Sequence, residues 1–169
     1  MTFAQVLLSE FNQEAQTTRR VLERLPEGKF DWKPHAKSMS MGQLASHVAE
    51  LTGWGAMILQ QDSLDINPPG GPGFQPALYA TTSSLLAAFE AGAASTRQVL
   101  ETLADETLAQ PWTLLNGGQT AFTLPKGAVL RAFVLNHVVH HRGQLSVYLR
   151  ENDVPVPSIY GPSADEGGM

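Results

Sequence analysis

The sequence predicts an all-α fold, a four-helix bundle with one small β-hairpin between its third and fourth helices. Three observations predict it. Four long segments repeat their apolar residues near the helical period of about 3.6. Two of those segments open on a capping box, Thr2 with Gln5 and Ser40 with Gln43. The clearest hairpin signal, Asn116-Gly117-Gly118, sits between two short runs that read as strands. A chain of 169 residues suits a single domain, residues 1–169. Such a domain buries about 70% of its unfolded surface without needing external staples.

Helix one follows its Thr2 cap with Phe3, Leu7, Leu8, Phe11, Ala15, Thr18, Leu22 and Leu25 at helical spacing, and ends before Pro26. Glu27 and Gly28 turn the chain, and Phe30 to His35 reads as an extended connector. Helix two follows Ser40 and buries Leu44, Val48, Leu51, Trp54 and Ile58. From Gln61 to Ala80 the chain is Pro- and Gly-rich, and Pro68 to Gly73 is too broken for a helix or a central strand. A crossover this long permits helix three to run parallel to helix two, where only short turns would impose an up-down order. Helix three spans Thr82 to Leu103, with Leu85, Phe89, Ala93, Thr96, Val99, Leu100 and Leu103 on one face. Trp112 to Thr123 forms the hairpin, the only strand structure expected. Pro125 suits the first turn of helix four, which ends near Glu151. The tail from Val154 to Met169 holds three prolines and three glycines, so it lies on the bundle or frays rather than forming an element.

Composition narrows the chemistry. The chain has no cysteine, which excludes disulfides, thiolate ligands and a cysteine nucleophile. A formal charge of -5 and the lack of any Lys/Arg run argue against nucleic-acid binding. No basic segment followed by an apolar run opens the chain, and no apolar stretch approaches the roughly 18 residues of a membrane span, so a cytoplasmic protein is expected. Histidine and carboxylate must carry any reaction.

Three of the five histidines fall within His137-Val138-Val139-His140-His141. At about 100° per residue, His137 and His141 lie about 40° apart on one face of helix four. The same wheel puts both in the middle of an apolar stripe with Leu130, Phe133, Val134, Leu145 and Tyr148. Buried ring nitrogens need partners, which backbone carbonyls or a metal ion can supply. A third histidine, His47, sits inside apolar helix two between Leu51 and Trp54, and it strengthens the metal reading. Three nitrogen ligands with a position left open is the pattern of catalytic zinc, whereas structural zinc is usually closed by four. His140 lies about 60° from His137 and about 100° from His141 on the wheel, so it takes a surface or supporting role. His35 follows a proline in the connector and reads as a rim residue. Glu50, about 60° from His47, is a supporting partner at most, with a solvent-facing position favoured.

Trp32-Lys33-Pro34-His35, Lys37-Ser38-Met39-Ser40, His47, the run Asn136 to Leu145 and the run Pro157 to Asp165 together resemble the DinB/YfiT-like metalloenzyme family over nearly the whole chain. The resemblance implies a four-helix bundle with parallel second and third helices, metal ligands at His47, His137 and His141, and a homodimer. Characterised members include thiol-dependent S-transferases, a related isomerase and metal-dependent hydrolases. The leading expectation is therefore a divalent metal ion, zinc or nickel first and iron or copper next, that activates a low-molecular-weight thiol cosubstrate. Hydrolysis by bound hydroxide is the alternative enzyme reading, and a metal-binding stress protein the non-enzymatic one. An enzyme would carry a substrate pocket over the metal, expected between the Pro68 to Gly73 crossover and the Phe30 to His35 connector.

Overall fold

The computed structural model describes residues 1–167, so Gly168 and Met169 at the end of the predicted tail lie outside the described residues. The fold is mostly helical with a small three-stranded sheet. Helix α1 (Phe3–Leu22) and helix α2 (Met41–Gln60) open on the two expected capping boxes, in which each cap hydroxyl accepts from the backbone of the third helical residue and that residue's glutamine bonds back. Asp105 adds a second device, accepting from the amides of Phe3 and Ala4 at 2.8 Å and so occupying two otherwise orphaned donors of α1.

Helix α3 (Thr82–Thr102) buries Leu85, Phe89, Ala93, Thr96 and Leu100 of the face that its periodicity predicts, while Val99 on its edge and Leu103 just past its end are half-buried. It meets α2 closely because glycine faces glycine there. A Cβ on Gly92 would come within 2.8 Å of the Gly53 amide nitrogen, closer than real side chains sit. Thr96 locks the contact by donating to the Thr52 carbonyl at 2.6 Å while accepting from the Ala56 amide at 2.9 Å.

Three features depart from the sequence reading. First, the hairpin of β2 (Pro111–Asn116) and β3 (Gln119–Pro125) is not the only strand structure, because β1 (Ser63–Asp65) pairs parallel to β2. The reason lies in Asp65, whose carboxylate accepts from the amides of Asn67, Gly117 and Gly118 and so ties the crossover to the hairpin turn. Gly117 and Gly118 both have positive φ, 63° and 77°, as a two-residue hairpin turn of that twist requires. Second, a short helix α4 (Asp105–Ala109) precedes the hairpin. Third, predicted helix four begins as α5 (Lys126–Leu130), passes through a π turn at Arg131–Leu135, and continues as α6 (Asn136–Glu151).

The π turn moves the helix face. One extra residue per turn shifts everything after it by one position relative to an α-helical wheel. The buried stripe is therefore Val134, Val138, Arg142, Leu145 and Leu149, and His137 and His141 lie at its half-buried edge rather than in its middle. Both α1 and α2 pack against α3 and α6. Lys126, buried at the start of α5, donates to the Leu59 carbonyl at 3.2 Å and pairs with Asp62 at 3.0 Å, which caps the carboxyl end of α2. The tail lies on the helices: Glu166 joins Arg20 and Arg24, and Asp165 joins Arg150.

Candidate metal centre

Helix α2 carries His47 at the middle of its length, and the π turn delivers His137 and His141 to face it from α6. One ring nitrogen from each of the three lies within 4.8 Å of the others, and among the described residues this is the one group of side chains that could hold a metal ion. Nε2 of His47 stands 3.2 Å from Nε2 of His137. The ring of His141 is 4.8 Å from that of His47 and 4.7 Å from that of His137, centre to centre. Three imidazoles held this close, with no carboxylate among them, would repel one another if protonated.

Their proton affinities follow. Burial, then the neighbouring His141 and His137, lower His47 to about 4. Burial lowers His137 as well, with His141 adding to it and a bond to the Phe133 carbonyl opposing. His141 is lowered by burial against the opposing bond to Gln144. All three rings are thus neutral near pH 7, the state in which imidazole binds a metal. The supporting bonds also fix orientation. Gln144 Oε1 lies 2.7 Å from His141 Nδ1, and since an amide oxygen only accepts, the proton sits on Nδ1 and the lone pair on Nε2. The donor set fits a divalent metal ion, and imidazole does not choose among zinc, nickel, iron and copper.

The other predicted residues separate. His140 is exposed, its ring 4.8 Å from that of His141 and outside the group of three. His35 is exposed in the connector, where its Nδ1 accepts from the Lys37 amide at 3.1 Å. Glu50 does not simply face solvent. Its Oε1 accepts from the Ala77 amide at 3.0 Å, while its Oε2 is buried and has no partner among the described residues. One turn earlier on α2, Ser46 accepts from the Tyr79 amide at 3.1 Å, so the two side chains pin the crossover along the helix.

The expected pocket is placed differently. A cavity of about 360 Å³ reaches His137, but its walls are α2, the hairpin and the ends of the crossover at Ile66, Asn67 and Phe74. Neither Pro68 to Gly73 nor the connector lines it. Phe30, Asp31 and Lys33 of the connector line a separate groove of about 540 Å³ that contains none of the three histidines. The hairpin residues Trp112, Leu114 and Phe122 share the cavity of about 360 Å³ with His137, and the pairing of β1 with β2 ties the hairpin to the start of the crossover. Trp112 could be found in the sequence only as a strand residue. Its burial depends on residues from distant parts of the chain, Trp54 and Ile58 of α2, Phe74 of the crossover and Phe133 of the π turn, that line the same cavity.

Comparison with known proteins follows the same lines. The DinB family model matches residues 1–167. The protein YrdA of Bacillus subtilis (strain 168), described as uncharacterised, is 27% identical over 161 residues, covering 94% of this chain and 89% of its own. YjoA of the same organism is 25% identical over 145 residues, covering 86% and 88%. Among solved structures, a DinB-like protein of Bacillus cereus ATCC 10987 superposes with a TM-score of 0.68 at 17% identity, covering 90% of this chain and 95% of that one. The structure of YjoA gives a TM-score of 0.64 at 20% identity, covering 88% and 94%. At these identities the superpositions speak to the fold alone.

Proposed function

The chain belongs to the DinB family, and from that premise we propose that it is a metal-dependent enzyme in which His47, His137 and His141 hold a divalent ion and a low-molecular-weight thiol is the nucleophile. The observation that carries the reading is the convergence of three neutral ring nitrogens within 4.8 Å, with no carboxylate to reduce the charge of the ion they would hold. A divalent ion in such a set supplies Lewis acidity, which lowers a bound water to a pKa of about 7 and acidifies a thiol likewise. The protein has no cysteine, so the thiol must come from a cosubstrate. His47, from a different helix than the other two, fixes the approach of α2 to α6, and Gln144 holds His141 with its lone pair inward.

One observation favours a second reading, hydrolysis. Glu50 lies three residues from His47 and keeps an unbonded, buried carboxylate oxygen, the kind of group that can accept a proton from water. Bond-forming geometry does not separate the two readings, but their reagents do.

The proposal extends to architecture and setting. The long helices are taken as a four-helix bundle with α2 and α3 parallel, supported by the ascending order in which Thr52, Gly53 and Gly55 meet Phe89, Gly92 and Thr96. The bundle is one domain, a homodimer acting in the cytoplasm on a small molecule and not on nucleic acid. Among the described residues no helix is long and apolar enough to cross a membrane. Solution scattering at micromolar concentration checks the dimer, and a monomer mass rejects it.

Metal analysis of the purified protein tests the core of the reading: about one divalent ion per chain is expected. Screens for thiol conjugation and ester hydrolysis, each with and without chelator, then separate the reactions. Turnover that needs added thiol supports transfer, turnover without it supports hydrolysis, and activity that survives full metal removal rejects both.

A further inference from the structure

The cavity beside His137 differs in chemistry from the histidine edge that it touches. Its walls include Trp54, Ile58, Phe74, Trp112, Phe122 and Phe133, and among the described residues no Asp, Glu, Lys or Arg lines it. At about 360 Å³ it lies within the range of small-molecule sites, about 300 to 1,000 Å³. Phe122 stacks on Phe133 at 5.1 Å, and Trp54 meets Phe74 edge-on at 5.6 Å, so aromatic rings from α2, the crossover, the hairpin and the π turn hold one another in place.

Asn67 and His137 interrupt the apolar wall, and Trp112 brings a third polar group to it. Trp112 is 3% exposed, and its indole Nε1 is buried with no acceptor among the described residues. An indole N–H is a donor only, and buried donors are nearly always paired. The Asn67 carboxamide in the same wall donates through Nδ2 to Asn116 Oδ1 at 2.8 Å, and its Oδ1 does not accept from the indole. An unpaired donor on a residue that lines this largely apolar cavity beside His137 is what a bound molecule with one acceptor atom would satisfy.

We infer that this cavity binds the acceptor substrate, an uncharged small molecule with an aromatic or compact aliphatic body and one carbonyl-type oxygen bonded by Trp112. The inference rests on the proposed enzyme reading and deepens it by assigning the cavity to the electrophile rather than the thiol. The charged groups of the common low-molecular-weight thiols would lose their hydration against these walls with nothing to replace it. A neutral acceptor loses little and contributes apolar area.

The test uses the full-length, metal-loaded protein with its tryptophan indoles labelled with nitrogen-15, and acetophenone as the probe. The chain has three tryptophans, so the spectrum has three indole signals, and Trp54→Phe and Trp112→Phe assign them. Acetophenone is expected to move the Trp112 signal downfield in a saturable titration. Ethylbenzene, which keeps the body and lacks the oxygen, should move it far less. Benzoate, of similar shape and charged, should leave it in place. In Trp112→Phe the affinity for acetophenone should fall about tenfold while that for ethylbenzene holds. The wild-type titration decides the matter even if Trp112→Phe fails to fold, because Trp32→Phe and Trp54→Phe together assign the remaining signal to Trp112. A Trp112 signal indifferent to acetophenone in protein that holds its metal overturns the inference and leaves the metal reading intact. An equal response to benzoate overturns the uncharged class. Protein that binds acetophenone at Trp112 but no metal would instead defeat the enzyme reading.

Discussion

His141 and Arg142 are neighbours on α6, yet they belong to two opposite kinds of polar cluster. The Arg142 side chain is 1% exposed and closed on every side: it pairs with Glu14 at 2.7 Å, donates to Thr18 Oγ1 at 3.2 Å and to Tyr160 at 2.5 Å, and lies 5.1 Å over the Tyr160 ring. Tyr160 in turn donates to Glu14 at 2.8 Å, so α1, α6 and the tail share one satisfied network. The histidine cluster is its reverse. It is half-buried, built of three like groups of which only His47 and His137 stand within hydrogen-bond distance of each other, and supported from behind by Gln144 and the Phe133 carbonyl. A buried charge with complementary partners stabilises an architecture, whereas convergent bases without a partner mark a place for something else.

The largest expected effect breaks the closed cluster. Arg142→Ala empties the space of a fully buried side chain and leaves the half-buried Glu14 carboxylate without its counter-charge, and should cost about 3 to 5 kcal/mol in denaturant unfolding. Arg142→Lys should recover only part, because a lysine ammonium cannot reproduce the fork that meets Glu14, Thr18 and Tyr160 together. A loss under 1 kcal/mol would mean that the two clusters do not differ as described.

The open cluster should respond in binding, not in folding. His47→Ala, His137→Ala and His141→Ala are each expected to lose stoichiometric metal while keeping the metal-free melting temperature within a few degrees. His35→Ala should keep the metal, and His140→Ala should weaken it at most modestly. Calorimetric titration checks both halves, and full retention in any of the first three rejects that residue as a ligand. Gln144→Leu sits between the extremes. It removes no ligand but frees the His141 ring, so metal affinity should fall about 10- to 100-fold.

The contrast also explains what could be read from the sequence. Capping boxes, apolar spacing and the Asn116-Gly117-Gly118 turn are local, and each appears where its residues announce it. The three histidines were legible because two share a helix and the third interrupts an otherwise apolar one. The π turn was not, since nothing in Arg131 to Leu135 advertises an extra residue, and its shift is what moved Val138 and Arg142 to the centre of the buried stripe. Likewise β1 is only three residues long and gains its identity from β2 and from Asp65 reaching the hairpin turn. Arg142 was visible as part of a motif, but its partners Glu14 and Tyr160 come from the two ends of the chain. Non-local pairing hid the rest of the site, including the cavity.

The smallest effect concerns acid, and it sharpens the open cluster's half of the comparison. In the metal-free protein, the folded site holds His47 at about 4, whereas an unfolded histidine titrates near its ordinary value of about 6.5. Above that ordinary value both states are neutral there, and the site contributes its full share of stability. As the pH falls from about 6.5 towards 4, the unfolded chain takes up a proton that the folded site refuses, so the balance moves towards unfolding. His137 and His141, also lowered, add in the same direction. The rings are only half-buried, which keeps the effect well below that of a fully buried group. Melting temperatures of metal-free wild-type protein should therefore fall more steeply between pH 6.5 and pH 4 than those of His47→Ala. Metal at saturating concentration should raise the wild-type melt at pH 7 and lose that gain as protons compete for the same nitrogens. Parallel melting curves for wild type and His47→Ala across that window would show that the three rings are not held neutral by one another and by burial, and would remove the electrostatic distinction between this cluster and that of Arg142.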